Sequence, residues 1–188
     1  ALAVADHPRW GLALLVAGFL ATWAGARALP RSTDQPAGRL AAGVLYIGLA
    51  GIALIELRHD TEAGRANVLF LFLVVWASDI GAYMAGRRFG GPKLAPAMAV
   101  GLATALAFQP SASVLPVLLV AALLGIAAQA GDLLESAIKR RFNVKDTSSL
   151  IPGHGGLLDR LDGVLAAAPV ASLLSFALGH GYTIWNWG

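Results

Sequence analysis

Charge is absent from residues 10–26, 40–55, 111–131 and 163–179, and no other feature constrains the fold of this chain as strongly. Each stretch approaches the roughly 17–25 apolar residues that a membrane-spanning helix needs. Only 13% of the 188 residues are charged, so hydrocarbon rather than water is the expected main solvent; soluble domains carry about 25%. Spans are expected near residues 10–29, 38–57, 66–86, 97–109, 113–138 and 161–180. The fold class is therefore all-α, a polytopic integral membrane helical bundle of about six spans forming one transmembrane domain over residues 1–188. The first stretch has the length of a secretory signal, but a single basic residue, Arg9, precedes it and further spans follow, so it reads as a retained helix. Residues 97–109 would rise only about 20 Å at helical pitch, short of a hydrocarbon core of roughly 30 Å. A truncated, tilted or re-entrant fourth span is expected.

Basic residues set the sidedness. Arg87, Arg88 and Lys93 crowd one connection, while Lys139, Arg140, Arg141, Lys145 and Arg160 crowd another. Two intervening spans put both on one face, which the positive-inside rule makes cytoplasmic. Arg31 and Arg39 fall on that side by alternation, the connection 58–65 falls outside, and both ends of the chain face outward. Tyr182, Trp185 and Trp187 are expected to form an aromatic group at the outer interface. The net charge of +3 is explained by these span-end bases, so no nucleic-acid partner is expected. Cysteine is absent, which removes disulfides, thiolate nucleophiles and cysteine-ligated zinc from consideration.

Carboxylates at membrane depth carry the chemical signal, because an ionisable group there needs a partner and defaults to a functional role. Asp79 lies about eight residues inside an apolar span, a depth of roughly 12 Å; its simpler reading is an ion pair with a neighbouring helix. Asp132 follows the uncharged run 111–131. Asp132, Glu135, Ser136 and Lys139 recur at helical spacing and share one face, and for Glu135 a solvated pair with Lys139 is the plainer alternative. Beyond them, Gly153, Gly155 and Gly156 flank His154 in a polar connection whose backbone amides could meet an anion such as phosphate. Asp159 and Asp162, three apart at the start of the last span, are spaced to hold one divalent cation, and hard oxygen ligands suit magnesium shared with substrate phosphates. Stabilisation of a helix N-terminus would explain Asp159 alone but not Asp162. A lone His154 is more often a loop hydrogen-bonder than a catalyst. Together these groups suggest phosphoryl or nucleotidyl transfer at a membrane surface.

The run Ser136-Ala137-Ile138-Lys139-Arg140, then Lys145-Asp146, Ser148, Ile151-Pro152, His154-Gly155-Gly156-Leu157 and Asp159-Arg160-Leu161-Asp162 resembles the motif of the phosphatidate cytidylyltransferases throughout positions 136–162. Gly131-Asp132-Leu133-Leu134-Glu135 and Ser78-Asp79-Ile80-Gly81-Ala82-Tyr83 also resemble family elements. The resemblance implies transfer of the cytidylyl group of CTP to phosphatidic acid, giving CDP-diacylglycerol and pyrophosphate. It makes Asp132, Asp159 and Asp162 metal ligands for Mg²⁺, with Asp79 a fourth and a monovalent cation allowed beside it. It makes Lys139, Arg140, Lys145 and Arg160 phosphate contacts, adds Asp146 and His154 to the catalytic set, and puts Ser136, Gly155, Gly156 and Tyr83 on the substrates. The implied partners are CTP, phosphatidic acid and the lipid bilayer, with a homodimer allowed, and the implied location is a bacterial inner membrane with the site facing the cytoplasm. Two departures stand out. A segment usual in the family between Pro96 and Ala97 is missing, which is expected to reflect residues absent from the chain described rather than a natural deletion, and early spans are also lacking.

Rival readings predict different patterns. A transporter or channel would also bury carboxylates, but near the bilayer midplane rather than beside a basic surface. A polyprenol kinase or a CDP-alcohol phosphotransferase would share the metal chemistry but not the run 136–162. A structural subunit gives no reason to gather acids and bases around one glycine-rich connection.

Overall fold

The computed structural model describes residues 8–28, 37–58, 62–88, 94–141, 161–179 and 182–187. Lipid offers backbone groups no hydrogen-bond partners, so a chain this apolar must satisfy them within its own helices. Six are present among the described residues: α1 (Pro8–Ala28), α2 (Ala37–Arg58), α3 (Glu62–Arg88), α4 (Ala95–Phe108), α5 (Val114–Arg141) and α6 (Asp162–Leu178). Four of them, α1, α2, α3 and α5, are long and apolar enough to cross a membrane, while α4 and α6 are shorter. The protein is an integral membrane protein of the all-α class.

Helix limits follow local chemistry. Glu62 opens α3 and pairs with Arg65 one turn on, at 3.1 Å, so the helix begins four residues before the expected span. Lys139, Arg140 and Arg141 occupy the last turn of α5, where cations suit the negative end of the helix dipole. Pro96 sits in the first turn of α4, a position that loses no hydrogen bond. The backbone runs unbroken from Pro96 to Ala97 inside α4, and the Pro96 ring rests where a Cβ on Gly81 of α3 would be. The short fourth element is therefore a 14-residue helix packed on α3 and α5.

Between helices in lipid, packing rather than hydrophobic drive holds the bundle, and small side chains let backbones close up. Accordingly Ala97, Ala105, Ala121, Ala128, Ala167, Ala168 and Ala171 are fully buried where α3, α4, α5 and α6 meet. α2 packs on α6 and α3, and α1 lies outside on α2, turning Trp10, Leu12, Leu14 and Leu20 outward. Helices α3 and α5 run the same way: Phe70 and Val74 lie near Ala121, and one turn on Ser78 lies near Gly125 and Gln129. Helix α6 runs opposite to both, so the C-terminal halves of α3 and α5 and the start of α6 share one end of the bundle.

At the other end, Trp185 departs from expectation. It is fully buried, its ring 4.6 Å from that of Phe70, instead of standing in an interfacial belt; Tyr182 and Trp187 are the exposed members of the group. The cause is a clamp made by Asn67. Its side-chain oxygen accepts from the Ile184 backbone N–H at 2.9 Å and its amide donates to the Tyr182 carbonyl at 3.2 Å, folding residues 182–187 onto the bundle. Thr183 adds a hydrogen bond to Gln109 at 3.2 Å.

Candidate active site

Two glycines bring the acids together. A Cβ on Gly131 of α5 would lie 2.6 Å from the Ala166 Cβ and 2.7 Å from the Asp162 carbonyl oxygen of α6. One on Gly163 would lie 3.0 Å from Val75 of α3 and 3.3 Å from Asp132 Oδ1. A side chain at Gly131 would clash and one at Gly163 would crowd its neighbours, and the close approach sets Asp132 of α5 beside Asp162 of α6. Asp79 of α3 is within electrostatic range of both. Next to it Ser78 is fully buried and accepts a hydrogen bond from Gln129 of α5 at 3.3 Å, fixing the height of α3 against α5. The Asp162 carboxylate accepts from the Gly163 backbone N–H at 2.8 Å, and its carbonyl accepts from the Tyr46 hydroxyl of α2 at 3.4 Å.

Oxygens Oδ1 of Asp79 and Oδ1 of Asp132 are buried with no hydrogen-bond partner among the described residues. Carboxylates this close in a low-dielectric bundle repel, and a shared proton or a cation relieves the repulsion. No three carboxylates or histidines among the described residues stand close enough to form a metal cluster on their own. The described protein thus supplies the pair Asp132 and Asp162, with Asp79 beside it.

The expected pair of Glu135 and Lys139 forms, at 3.0 Å, but it is not solvated: Glu135 is buried and the side chains are 9% and 18% exposed. Lys139 therefore stands beside Asp132, within its electrostatic range. Arg140 and Ser136 are both exposed, and the Arg140 Nε donates to the Ser136 carbonyl one turn back at 3.2 Å. Tyr83 is exposed one turn beyond Asp79. The expected sites Lys145, Asp146, His154, Gly155, Gly156, Asp159 and Arg160 lie outside the described residues, as do Arg31 and Lys93. Sequence reasoning did not find Tyr46 or Gln129, and it named Ser78 only within the run that resembles a family element. Tyr46 had one available signal: it heads a helical stripe with Ala50, Ala53 and Leu57, which are buried against the bundle.

A helical bundle that sets Asp132 of α5 beside Asp162 of α6, at the end where the bases of α5 lie, defines a membrane-embedded protein with a carboxylate pair at one end. Comparison with known proteins makes this specific. The profile of the cytidylyltransferase family matches residues 4–99 and 95–178, two segments that overlap at residues 95–99. The chain belongs to the cytidylyltransferase family. Among curated relatives, the phosphatidate cytidylyltransferase of Brucella suis is 45% identical, over 86% of this chain and 65% of the relative. The phosphatidate cytidylyltransferase of Pseudomonas aeruginosa is 36% identical over 76% of this chain and 59% of its own length. That of Bacillus subtilis is 34% identical over 73% and 57%. The chain spans 65% or less of the length of these relatives.

Proposed function

We propose that this chain carries the catalytic core of a phosphatidate cytidylyltransferase, joining CTP and phosphatidic acid into CDP-diacylglycerol and pyrophosphate. What supports this reading is the pairing of Asp132 with Asp162, with Asp79 and Lys139 in electrostatic range, in a chain whose relatives bear that name. An oxygen of the lipid phosphate attacks the α-phosphorus of CTP and a P–O bond forms. The bond from that phosphorus to the β-phosphate bridging oxygen breaks, and pyrophosphate leaves with the electron pair. An ionised lipid phosphate needs no general base.

Unpartnered buried carboxylate oxygens on Asp79 and Asp132 fit a hard divalent cation such as Mg²⁺. Asp132 and Asp162 would hold it with Asp79, and Asp159 would join them from outside the described residues. When bound, the cation neutralises charge on the phosphate oxygens. The chain's own part is to position and to pair charge: Lys139, Arg140, Lys145 and Arg160 meet phosphate oxygens, His154 orients one, Asp146 supports the basic run, and Ser136, Gly155, Gly156 and Tyr83 border the substrates. A monovalent cation and a homodimer belong to the same proposal. So does a location in a bacterial inner membrane with the site toward the cytoplasm, where the basic residues gather.

The test is product formation by the full-length purified protein with phosphatidic acid, radiolabelled CTP and Mg²⁺, beside Asp132→Asn and Asp162→Asn. Product that disappears with EDTA, returns with Mg²⁺, and falls by roughly 10²-fold or more in both variants is the expected result. Full activity in either variant would remove that residue from the metal set, and no product from folded protein would sink the reading.

A further inference from the structure

Tyr46 is the polar member of the α2 stripe that faces the bundle. Ala50, Ala53 and Leu57 continue that stripe, all buried, and their small or apolar surfaces let α2 lie close to α6 and α3. At this level the phenol reaches the first residue of α6, donating to the Asp162 carbonyl at 3.4 Å. It is also within electrostatic range of Asp162, Glu135 and Asp132. The same carbonyl oxygen is the atom that a side chain on Gly131 would strike at 2.7 Å. The start of α6 is thus gripped on one side by the α5 backbone and on the other by a hydroxyl from α2.

We infer that Tyr46 is a positioning residue, whose hydroxyl ties α2 to the start of α6 and fixes the height at which the Asp162 carboxylate meets that of Asp132. A phenol suits the place. It is a neutral donor, so it holds the backbone without cancelling the negative charge that a cation would need, as a lysine or arginine there would. Phenylalanine would keep the packing and lose the tie. This inference rests on the proposed metal reading of the acids.

Binding of Mn²⁺ itself, followed by electron paramagnetic resonance on the full chain in detergent, separates the two. In Tyr46→Phe the Mn²⁺ dissociation constant should rise about 3- to 10-fold, the range one lost hydrogen bond supplies. Tyr46→Leu should show the same rise, Tyr182→Phe at the far end none, and the metal-free melting temperature of Tyr46→Phe should stay within about 2 °C of the parent. Mn²⁺ binding by Tyr46→Phe at the parent affinity overturns the inference alone. A large loss in Tyr46→Leu with none in Tyr46→Phe also overturns it, since ring packing and not the hydroxyl would then matter. If the parent protein binds no Mn²⁺, the metal reading fails and this inference falls with it.

Discussion

Lys139 enters any phosphate site already engaged. Its ammonium lies 3.0 Å from Glu135, and both side chains are largely withdrawn from solvent. A phosphate reaching Lys139 must share it with that carboxylate, which keeps the lysine extended along the face that carries Asp132. Removing one partner of such a pair strands the other charge, at a cost of about 3–5 kcal/mol. Glu135→Ala is therefore expected to lower the melting temperature of the purified protein by roughly 6–15 °C, and Glu135→Gln by less, because the amide still offers Lys139 an oxygen. An unchanged melting temperature in Glu135→Ala would show the pair to be dispensable. Sequence spacing made this pair legible but not its burial, which depends on tertiary packing. Tyr46 was illegible for a related reason: a single tyrosine in an apolar span reads equally well as lipid-facing until the neighbour of its helix is known.

Helix against helix, the site depends on a close crossing of α5 and α6. Gly131→Ala puts a methyl group 2.6 Å from the Ala166 Cβ and 2.7 Å from the Asp162 carbonyl, so α6 must move outward. Overpacking of this kind costs about 1–3 kcal/mol, and activity should fall more steeply than stability because the displaced residue is Asp162 itself. Parallel measurement of melting temperature and CDP-diacylglycerol formation checks this; equal activity would mean that the crossing has slack. The elements were readable because uncharged runs mark spans directly, and α1, α2 and α5 fall close to the expected ranges. Their ends were less so, since Glu62 with Arg65 and the bases at 139–141 extend helices into positions that charge alone suggests are loops. Asp79 and Asp132 were singled out in the sequence as acids at membrane depth, and Asp162 as half of a cation-binding pair with Asp159 at the start of the last span. That they meet follows from the parallel run of α3 and α5 and the opposed run of α6, which no local pattern contains.

Across the whole molecule, the acids and the bases of α5 lie at one end and the Asn67 clamp at the other. Single cysteines replacing Arg58 and Lys145 in this cysteine-free chain should therefore react with an impermeant maleimide from opposite sides of the membrane, Lys145→Cys from the cytoplasm. Labelling of both from one side would overturn the proposed sidedness. The buried Trp185 bears on the rival reading as a transporter. Alternating access needs two doors that open in turn, and at the far end an indole is packed against Phe70 while Asn67 holds residues 182 and 184 by two hydrogen bonds. To pass cargo at that end, the molecule would have to undock residues 182–187 and break both bonds to the buried Asn67.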